Sequence, residues 1–343
     1  MTIEFKREVF QSKFLDPLAN FNEKVCSFEV RADPLIKETS HIHEVRFIPP
    51  QRKDLSSVIQ KSLDGGCPFC PQAIDSATPK FIPELISQGR IRVGEACVFP
   101  NVMPYSPYSA LSVLSKQHFI ALSDFTQELL ANALIASQIY LERVQEYDAE
   151  AKYFYIGWNY MPTSGGSQPH PHLQVEGTYF PAPYQNKLME ASQQYYITNG
   201  TNFWADLMTK ERQLGERYIG STGSICWLTS FAPRGKLWEI LAIFSNKDSF
   251  LSISQQELRD FSAGLERVFK YMNGQNFYSF NLSINSGIAG DNYFWTQARI
   301  IPRLTFLELD VSDYSHYRLL QDIHLVHRYP EDVCRELKKY FDE

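Results

Sequence analysis

The 343-residue sequence is short of positive charge and of long apolar runs. Its 33 lysines and arginines are fewer than its 39 acidic residues, the net charge is −6, and no basic arm or Lys/Arg-rich helix is present. We therefore expect no nucleic-acid partner. No run of about 18 apolar residues occurs, so we expect no membrane-spanning helix. Because no apolar core follows the first seven residues, as it would in a signal peptide, we expect a cytoplasmic protein.

Cysteine is also scarce. The six cysteines are scattered, and only Cys67 and Cys70 are close to each other in the sequence. Without a secretion signal, disulfide bonds are not expected. The Cys-x-x-Cys turn can supply two thiolates to one metal ion, but by itself it is also compatible with a redox dithiol or with chance.

The most informative stretch is Gly-Gly-Ser-Gln-Pro-His-Pro-His-Leu-Gln at 165–174. Proline has no N–H to donate to a helix and pushes the residue before it towards extended conformations. Side chains two apart in an extended chain lie on one face. The sequence therefore predicts a row of His170, His172 and Gln174 behind a glycine-rich turn. We interpret this row as a functional site rather than as two structural histidines.

This stretch resembles the nucleophile motif Gly-x-Ser-x-Pro-His-Pro-His-x-Gln of the galactose-1-phosphate uridylyltransferase family. That family is a branch of the histidine-triad superfamily, related to ADP-glucose phosphorylase and the dinucleoside tetraphosphate phosphorylases. The resemblance implies that His172 attacks the α-phosphorus of a nucleotide and forms a covalent nucleotidyl-histidine. It implies that Gln174 and Ser167 stabilise the phosphoryl oxygens. A histidine-triad hydrolase is less expected, because that branch has a third histidine where Gln174 stands.

The same resemblance implies one structural zinc ion per chain. Its ligands would be the two knuckle cysteines, a histidine at the end of a mid-domain strand, and the first histidine of the nucleophile motif. In this sequence these are Cys67, Cys70, His118 and His170. Two thiolates and two imidazoles form a common closed tetrahedral zinc site.

Nucleotide contacts are implied for four more residues: Arg52, Phe99, Asn101 and Asn159. Arg52 follows a predicted strand at His43–Ile48 and would contact the base or a phosphate. Phe99 would pack on the base and Asn101 would bind the ribose, whereas Asn159, thirteen residues before His172, would contact the phosphates. The alternatives are a solvated charge at Arg52 and core packing at Phe99. Leu55 stands where a second arginine is expected, and Val102 where an acidic residue is often found.

The second half repeats the first. Leu-Glu-Arg-Val at 141–144 recurs at 265–268, and Phe154-Tyr155 recurs as Phe277-Tyr278 in the same order of strands and helix. With the resemblance, this predicts an α+β fold of two tandem histidine-triad-like units, each an antiparallel sheet packed with helices. Residues 1–205 would be the catalytic unit with the zinc knuckle, and residues 206–343 a unit that lacks the nucleophile.

The second copy has no histidine motif. Trp295-Thr296-Gln297-Ala298-Arg299 stands in its place. Some uridylyltransferases hold a second metal with histidines there, so we expect no second metal in this chain.

Apolar spacing predicts two helices. One would run from Ser123-Asp124 to about Asp148. The other would lie in the first 25 residues, with an apolar stripe at Phe5, Val9, Phe10, Phe14 and Leu15.

Together these features predict a nucleotidyltransferase that works by double displacement on a nucleotide sugar and a sugar 1-phosphate. The leading hypothesis is a UDP-glucose–hexose-1-phosphate uridylyltransferase of galactose metabolism, and the family commonly forms homodimers. One alternative is a phosphorylase, in which phosphate attacks the adduct and the substrate is ADP-glucose or a dinucleoside polyphosphate. Another is a non-catalytic zinc-stabilised nucleotide-binding protein, because the family's sugar-phosphate pattern is not clearly present at 316–322. A redox protein is a weaker alternative.

Overall fold

The computed structural model describes residues 3–43, 49–306 and 311–342, so most of the strand predicted at His43–Ile48 lies outside the described residues. The strands are β1 (Arg7–Asp16), β2 (Asn22–Ala32), β3 (Thr39–Ile42), β4 (Ile91–Val93), β5 (Ala96–Pro100), β6 (Tyr108–Val113), β7 (Tyr153–Tyr160), β8 (His172–Thr178), β9 (Tyr218–Thr222), β10 (Ile225–Thr229), β11 (Ile240–Phe244), β12 (Ser279–Asn285), β13 (Gln297–Arg303), β14 (Thr305–Phe306), β15 (Val311–Ser312) and β16 (His324–Val326). The helices are α1 (Ser56–Asp64), α2 (Ile74–Ala77), α3 (Gln127–Tyr147), α4 (Pro183–Asn199), α5 (Phe203–Leu214), α6 (Gln255–Gly274), α7 (His316–Leu320) and α8 (Pro330–Lys338). Within the described ranges, no helix is both long and apolar enough to cross a bilayer.

One antiparallel sheet of ten strands contains both halves of the chain. Its order is β4-β5-β6-β8-β7-β12-β13-β11-β10-β9. If the five strands of each half are numbered 1 to 5 in chain order, the first half is arranged 1-2-3-5-4 and the second half 4-5-3-2-1. The halves are therefore related by a pseudo-twofold axis between β7 and β12. α3 and α6 each follow the third strand of their half. The predicted α+β fold of two tandem antiparallel units is therefore confirmed. The division between residues 205 and 206 stays a prediction, and that point lies within α5.

The two faces of the sheet differ in what they carry. Along β7, residues 154, 156, 158 and 160 are buried in the apolar core between the sheet and helices α3 and α6. The Trp158 ring, for example, lies 5.8 Å from Phe269 of α6 and 5.0 Å from Phe280 of β12. The alternate residues, Tyr155, Gly157 and Asn159, are half-buried on the opposite face. We call this second face the open face at β7, β8 and β12; at β10 and β11 the side chains of α4 and α5 pack against it.

The N-terminal segment is a hairpin, so the helix predicted in the first 25 residues is wrong. β1 pairs with β2 from Arg7 opposite Arg31 to Asp16 opposite Asn22, and the pair belongs to a four-stranded sheet ordered β1-β2-β3-β16. At the turn the Asp16 carboxylate accepts a hydrogen bond from the Leu18 N–H at 2.9 Å, and Asn20 has a φ of 52°. A turn of this kind favours a hairpin. The helix prediction used only the spacing of the apolar residues and overlooked the turn.

A buried charge network ties this small sheet to the last helix. Arg31 of β2 donates to Glu29 at 2.9 Å and to Glu331 of α8 at 2.8 Å. Arg217 donates to the same Glu331 oxygen at 2.8 Å and to Glu211 of α5 at 2.9 Å. The side chains of Arg217 and Glu211 are each only 2% exposed. The N-terminal sheet and the last helix are therefore joined by ion pairs in which the arginine side chains are almost completely buried.

Replacing Arg217 by methionine should destabilise the fold strongly. The change leaves the Glu211 carboxylate buried without its cation, and breaking a buried pair in this way costs about 3–5 kcal/mol. Arg212, next to Glu211 on α5, is exposed, so Arg212→Met should change the free energy of unfolding by less than about 0.5 kcal/mol. Chemical denaturation of both variants measures the difference. Equal losses in the two variants would show that the network contributes little.

Candidate active site and metal centre

A glycine-dependent turn positions the histidine motif. β7 ends at Tyr160 and β8 begins at His172, and the chain between them connects these two neighbouring strands. Gly165 has a φ of 93°, and a Cβ at Gly166 would lie 2.5 Å from the backbone oxygen of Asn159. No other residue fits either position without strain. The predicted row of His170, His172 and Gln174 is a regular strand only from His172 onwards.

The geometry of His172 defines its tautomer. Its Nδ1 lies 2.9 Å from the backbone carbonyl oxygen of His170. A carbonyl only accepts, so Nδ1 carries the proton and Nε2 keeps its lone pair. Burial lowers the pKa of His172 below its usual value. The residue is therefore a neutral imidazole with an unprotonated Nε2.

Gln174 lies on the open face beside an unfilled space. Leu173 and Val175 point into the core, and Gln174 alternates with them. It pairs with Gly157 of β7, where a Cβ would meet nothing within 4 Å. The Gln174 amide forms no hydrogen bond with any residue that the structure describes. It can therefore donate to a ligand bound above Gly157.

The orientation of Asn159 is set from the second half of the chain. Arg303 of β13 can only donate, and its Nη1 lies 2.7 Å from Asn281 Oδ1. Asn281 Nδ2 in turn donates to Asn159 Oδ1 at 2.6 Å and to the Ser164 carbonyl oxygen at 3.0 Å. Because the oxygen of Asn159 is engaged, its NH₂ group remains available as a donor. This arrangement suits the phosphate contact expected of Asn159.

Glu176 lies on the same face of β8 as His172 and Gln174, and sequence reasoning did not single it out. It continues the alternation of His172 and Gln174, is 4% exposed, and accepts hydrogen bonds from Ser109 Oγ at 2.9 Å and from Ser106 Oγ. Burial raises its pKa, while the two serine hydroxyls act in the opposite direction. Asn101 Nδ2 donates to Ser109 Oγ at 3.3 Å. Extending the period-two pattern by one step would have identified Glu176.

The four predicted zinc ligands converge. Their ligand atoms all lie within 4.8 Å of one another. Cys67 Sγ is 3.6 Å from His170 Nδ1, and Cys70 Sγ is 3.4 Å from His118 Nδ1 and 3.8 Å from His170 Nδ1. Tetrahedral bonds of about 2.3 Å to sulfur and 2.0–2.1 Å to nitrogen place sulfur and nitrogen roughly 3.5 Å apart. The donor set therefore fits one tetrahedral zinc ion.

The surroundings of the cluster support this fit. His170 Nε2 lies 2.8 Å from the Ser115 carbonyl oxygen, so it carries the proton and leaves Nδ1 free to bind metal. Burial lowers the pKa of His170 to about 4, so its imidazole is neutral. Burial, with the adjacent Cys67, raises the pKa of Cys70 to about 11. A dication would have to displace thiol protons, so metal affinity increases with pH.

Phe69, between the two cysteines, lies between the candidate metal cluster and His172. Its ring centroid lies 5.2 Å from that of His172, 6.0 Å from that of His170 and 5.7 Å from that of Phe99. Sequence reasoning missed this residue, because nothing in a Cys-x-x-Cys turn indicates where its middle side chains point. Phe99 itself is 1% exposed in this cluster, and its contact with a base stays a prediction.

The remaining predicted residues lie at the rim. Ser167 is exposed in the glycine turn, and Arg52 is exposed just before α1. The neighbour of Arg52, Lys53, lies over the Tyr278 ring at 5.7 Å, and the Tyr278 hydroxyl accepts from Thr163 in the lead-in to the motif. The structure thus brings the Arg52 segment to the edge of the site. Roles for Ser167 and Arg52 stay predictions.

Known proteins share this fold. No protein-family model matches the sequence. An uncharacterised protein from Archaeoglobus fulgidus is 31% identical over 342 residues, which cover 99% of this chain and 100% of that protein. Among solved structures, a GalT-like protein from Arabidopsis thaliana has a TM-score of 0.70 at 16% identity, with 90% of this chain and 98% of that chain covered.

Two further solved structures have similar scores. ADP-glucose phosphorylase from Arabidopsis thaliana with bound ADP-glucose has a TM-score of 0.69 at 17% identity, with 90% and 98% of the two chains covered. A uridylyltransferase has a TM-score of 0.67 at 17% identity, with 91% and 98% covered. The fold expected from the nucleophile motif is confirmed.

The metal assignment predicts one zinc ion per chain in the purified protein. Cys67→Ser should lose the metal and lower the unfolding temperature, because metal binding is coupled to folding. Cys97 is a buried cysteine in the same apolar cluster but outside the ligand set, so Cys97→Ala should keep the metal. Elemental analysis and thermal unfolding with and without a chelator provide the measurements. Full zinc occupancy in a Cys67, Cys70 double serine variant would refute the site.

Proposed function

Since the chain belongs to the family of the Archaeoglobus fulgidus protein and has the fold of uridylyltransferase and ADP-glucose phosphorylase, we propose that it is an enzyme that transfers a nucleotidyl group through a covalent adduct on His172. The observation that carries this proposal is the Nδ1 contact of His172 with the His170 carbonyl. This contact leaves His172 Nε2 unprotonated, on the same face of β8 as the Gln174 amide, which has no hydrogen-bond partner among the described residues.

The reaction proceeds in two displacements. The Nε2 lone pair attacks the α-phosphorus, an N–P bond forms, and the bond from phosphorus to the bridging oxygen breaks with its electrons on the leaving phosphate. An oxygen of the acceptor then attacks the same phosphorus, and the N–P bond breaks to regenerate the imidazole. The amide groups of Gln174 and Asn159, with the hydroxyl of Ser167, donate to the phosphoryl oxygens during both steps.

The metal cluster contributes through His170. Bound zinc would neutralise two thiolates and fix the four ligand side chains. His170 provides Nδ1 to that cluster and its own carbonyl oxygen to His172. Cys67, Cys70 and His118 therefore act as positioning residues for the nucleophile.

The first substrates to test are UDP-glucose with a hexose 1-phosphate, the pair of a galactose-metabolising uridylyltransferase. Phosphorolysis of ADP-glucose or of a dinucleoside polyphosphate is the second possibility, supported by the solved phosphorylase that contains ADP-glucose. A non-catalytic nucleotide-binding protein has less support, because it would not need a fixed tautomer and an open Nε2 at His172.

We also propose a homodimer, supported by the hairpin β1–β2. β1 is an edge strand of its sheet, and it exposes Phe10, Phe14 and Leu15, while Leu18 at the turn is 94% exposed. An apolar edge strand is a template for pairing with another chain. Two hairpins related by a twofold axis would cover these side chains.

The adduct provides the main test. Wild-type protein incubated with the correct nucleotide donor and no acceptor should gain a mass equal to the nucleotidyl group, in an acid-labile and base-stable form. His172→Ala should form none and keep its fold and metal. Gln174→Ala should slow formation by about 10²–10³-fold, the scale for one transition-state donor, whereas the exposed Gln194→Ala should not. Adduct formation in His172→Ala at the wild-type rate would disprove the assignment.

The dimer makes a separate prediction. Light scattering should give twice the chain mass for the wild type, and Phe10→Ser with Phe14→Ser should shift the protein to the monomer. Ile197 is 69% exposed on α4, so Ile197→Ser controls for the loss of exposed apolar surface. A wild-type protein that scatters light as a single chain would contradict the dimer.

A further inference from the structure

Glu176 of β8 is a buried carboxylate that has no cation beside it. It is 4% exposed, and it forms no ion pair with any residue that the structure describes. Removing a carboxylate from water without a counter-charge costs free energy. Packing alone would therefore favour an apolar residue at this position of the strand. The contribution of Glu176 lies instead in the hydrogen bonds that it accepts.

One of these hydrogen bonds sets the direction of a short chain of donors and acceptors. Ser109 of β6 is paired directly with Glu176, and its hydroxyl donates to Glu176 Oε1 at 2.9 Å. Because its only proton is used, Ser109 Oγ can only accept from another group. It accepts from Asn101 Nδ2 at 3.3 Å. The carboxylate thus requires Asn101 to turn its NH₂ group towards Ser109.

The other side of the Asn101 amide is fixed by the backbone. The Met103 N–H donates to Asn101 Oδ1 at 3.0 Å. A flipped amide would place its NH₂ group against this N–H and its oxygen against the Ser109 oxygen, so both contacts oppose the flip. Packing adds little support, because Met103 and Tyr105 in the same loop are 67% and 83% exposed. The orientation of Asn101 therefore depends on hydrogen bonds.

Glu176 also holds the far end of this loop. The hydroxyl of Ser106 donates to Glu176 Oε2. The loop between β5 and β6 therefore has two attachments to one carboxylate, one direct at Ser106 and one through Ser109 at Asn101. An apolar side chain of the same size could fill the space but could provide neither attachment.

The bound amide of Asn101 still has two unused hydrogen-bonding positions. The second hydrogen of its NH₂ group and the second lone pair of Oδ1 have no partner among the described residues, and the side chain is half-buried. A pair of neighbouring hydroxyls can accept from the first and donate to the second at the same time. The 2′- and 3′-hydroxyls of a ribose are such a pair.

We propose that Glu176 is a positioning residue for ribose recognition, which acts through Ser109 on the Asn101 amide. A contact of Asn101 with ribose was expected from the family resemblance, whereas Glu176 and Ser109 are assigned here from their geometry. The inference rests on the proposed function and deepens it. The two serines separate Glu176 from the loop, so the carboxylate itself does not touch the nucleotide.

Binding measurements test this role without requiring turnover. Calorimetry of the metal-loaded protein compares UMP and AMP with their 2′,3′-dideoxy forms. The wild type should bind at least one ribonucleotide about tenfold more tightly than its dideoxy form, the scale of one good hydrogen bond. Glu176→Met and Ser109→Ala should each lose most of this preference. The double variant should lose no more than either single variant, because both act along one path.

Two further variants serve as controls. Glu176→Gln should keep most of the preference, because its amide oxygen can face Ser109 while its NH₂ group faces Ser106. Glu190→Met removes an exposed carboxylate on α4 and should keep all of it. A purely structural role for Glu176 would lower the unfolding temperature of Glu176→Met and leave the affinity ratio unchanged, since the ratio compares two ligands on the same protein.

The outcomes separate this inference from the proposed function. His172→Ala should retain the preference, since it removes the imidazole and leaves the Glu176 hydrogen bonds intact. If Glu176→Met loses the preference and no donor ever forms an adduct, the role of Glu176 stands and the nucleotidyl-histidine proposal fails. Equal binding of the ribo and dideoxy forms of both nucleotides by the wild type would overturn the role of Glu176. Wild-type preference in both Glu176→Met and Ser109→Ala would do the same, even if the adduct forms.

Discussion

The position of His170 is the constraint on which the rest of the site depends. Its Nδ1 belongs to the metal-ligand cluster, its Nε2 donates to the Ser115 carbonyl, and its own carbonyl accepts from His172 Nδ1. These three contacts link the candidate metal cluster to the tautomer of His172 and to its unprotonated Nε2. The metal cluster and the orientation of His172 are linked only because His170 contributes to both of them. The proposed chemistry therefore depends on a residue that never touches the substrate.

The two prolines make this geometry compatible with the sheet. Neither Pro169 nor Pro171 has an N–H, so the chain between the turn and β8 can present carbonyls without presenting donors. The Pro171 carbonyl accepts from the Leu114 N–H at 3.1 Å, which continues the pairing of β8 with β6. The His170 carbonyl is left for the imidazole two residues later. Because the histidines alternate with prolines, the His170 carbonyl takes no part in strand pairing and can accept the hydrogen bond from the His172 side chain.

Sequence periodicity predicted the parts of the protein that depend on local geometry. The row of His170, His172 and Gln174 follows from extended backbone alone, and the tandem sheet follows from the repeated Leu-Glu-Arg-Val segments. The hairpin β1–β2 was missed because the apolar residues there fit the spacing of a helix as well as that of a strand. The turn at residues 16–20 favours the strand arrangement. Asn281 was not predictable, since its role arises only when β12 pairs with β7, which brings together residues 122 positions apart.

In the second half of the chain, β13, the counterpart of β8, carries two arginines and no histidine. Where a histidine would hold a second metal in some uridylyltransferases, Arg299 is buried and donates to Glu239 at 2.7 Å. This ion pair joins β13 to Glu239, the residue just before β11. The next outward-facing charge on β13, Arg303, orients Asn281 and through it the Asn159 amide. The two halves therefore differ at corresponding strands, because β8 carries His172, whereas β13 carries Arg299 and Arg303, each bound to a carboxylate.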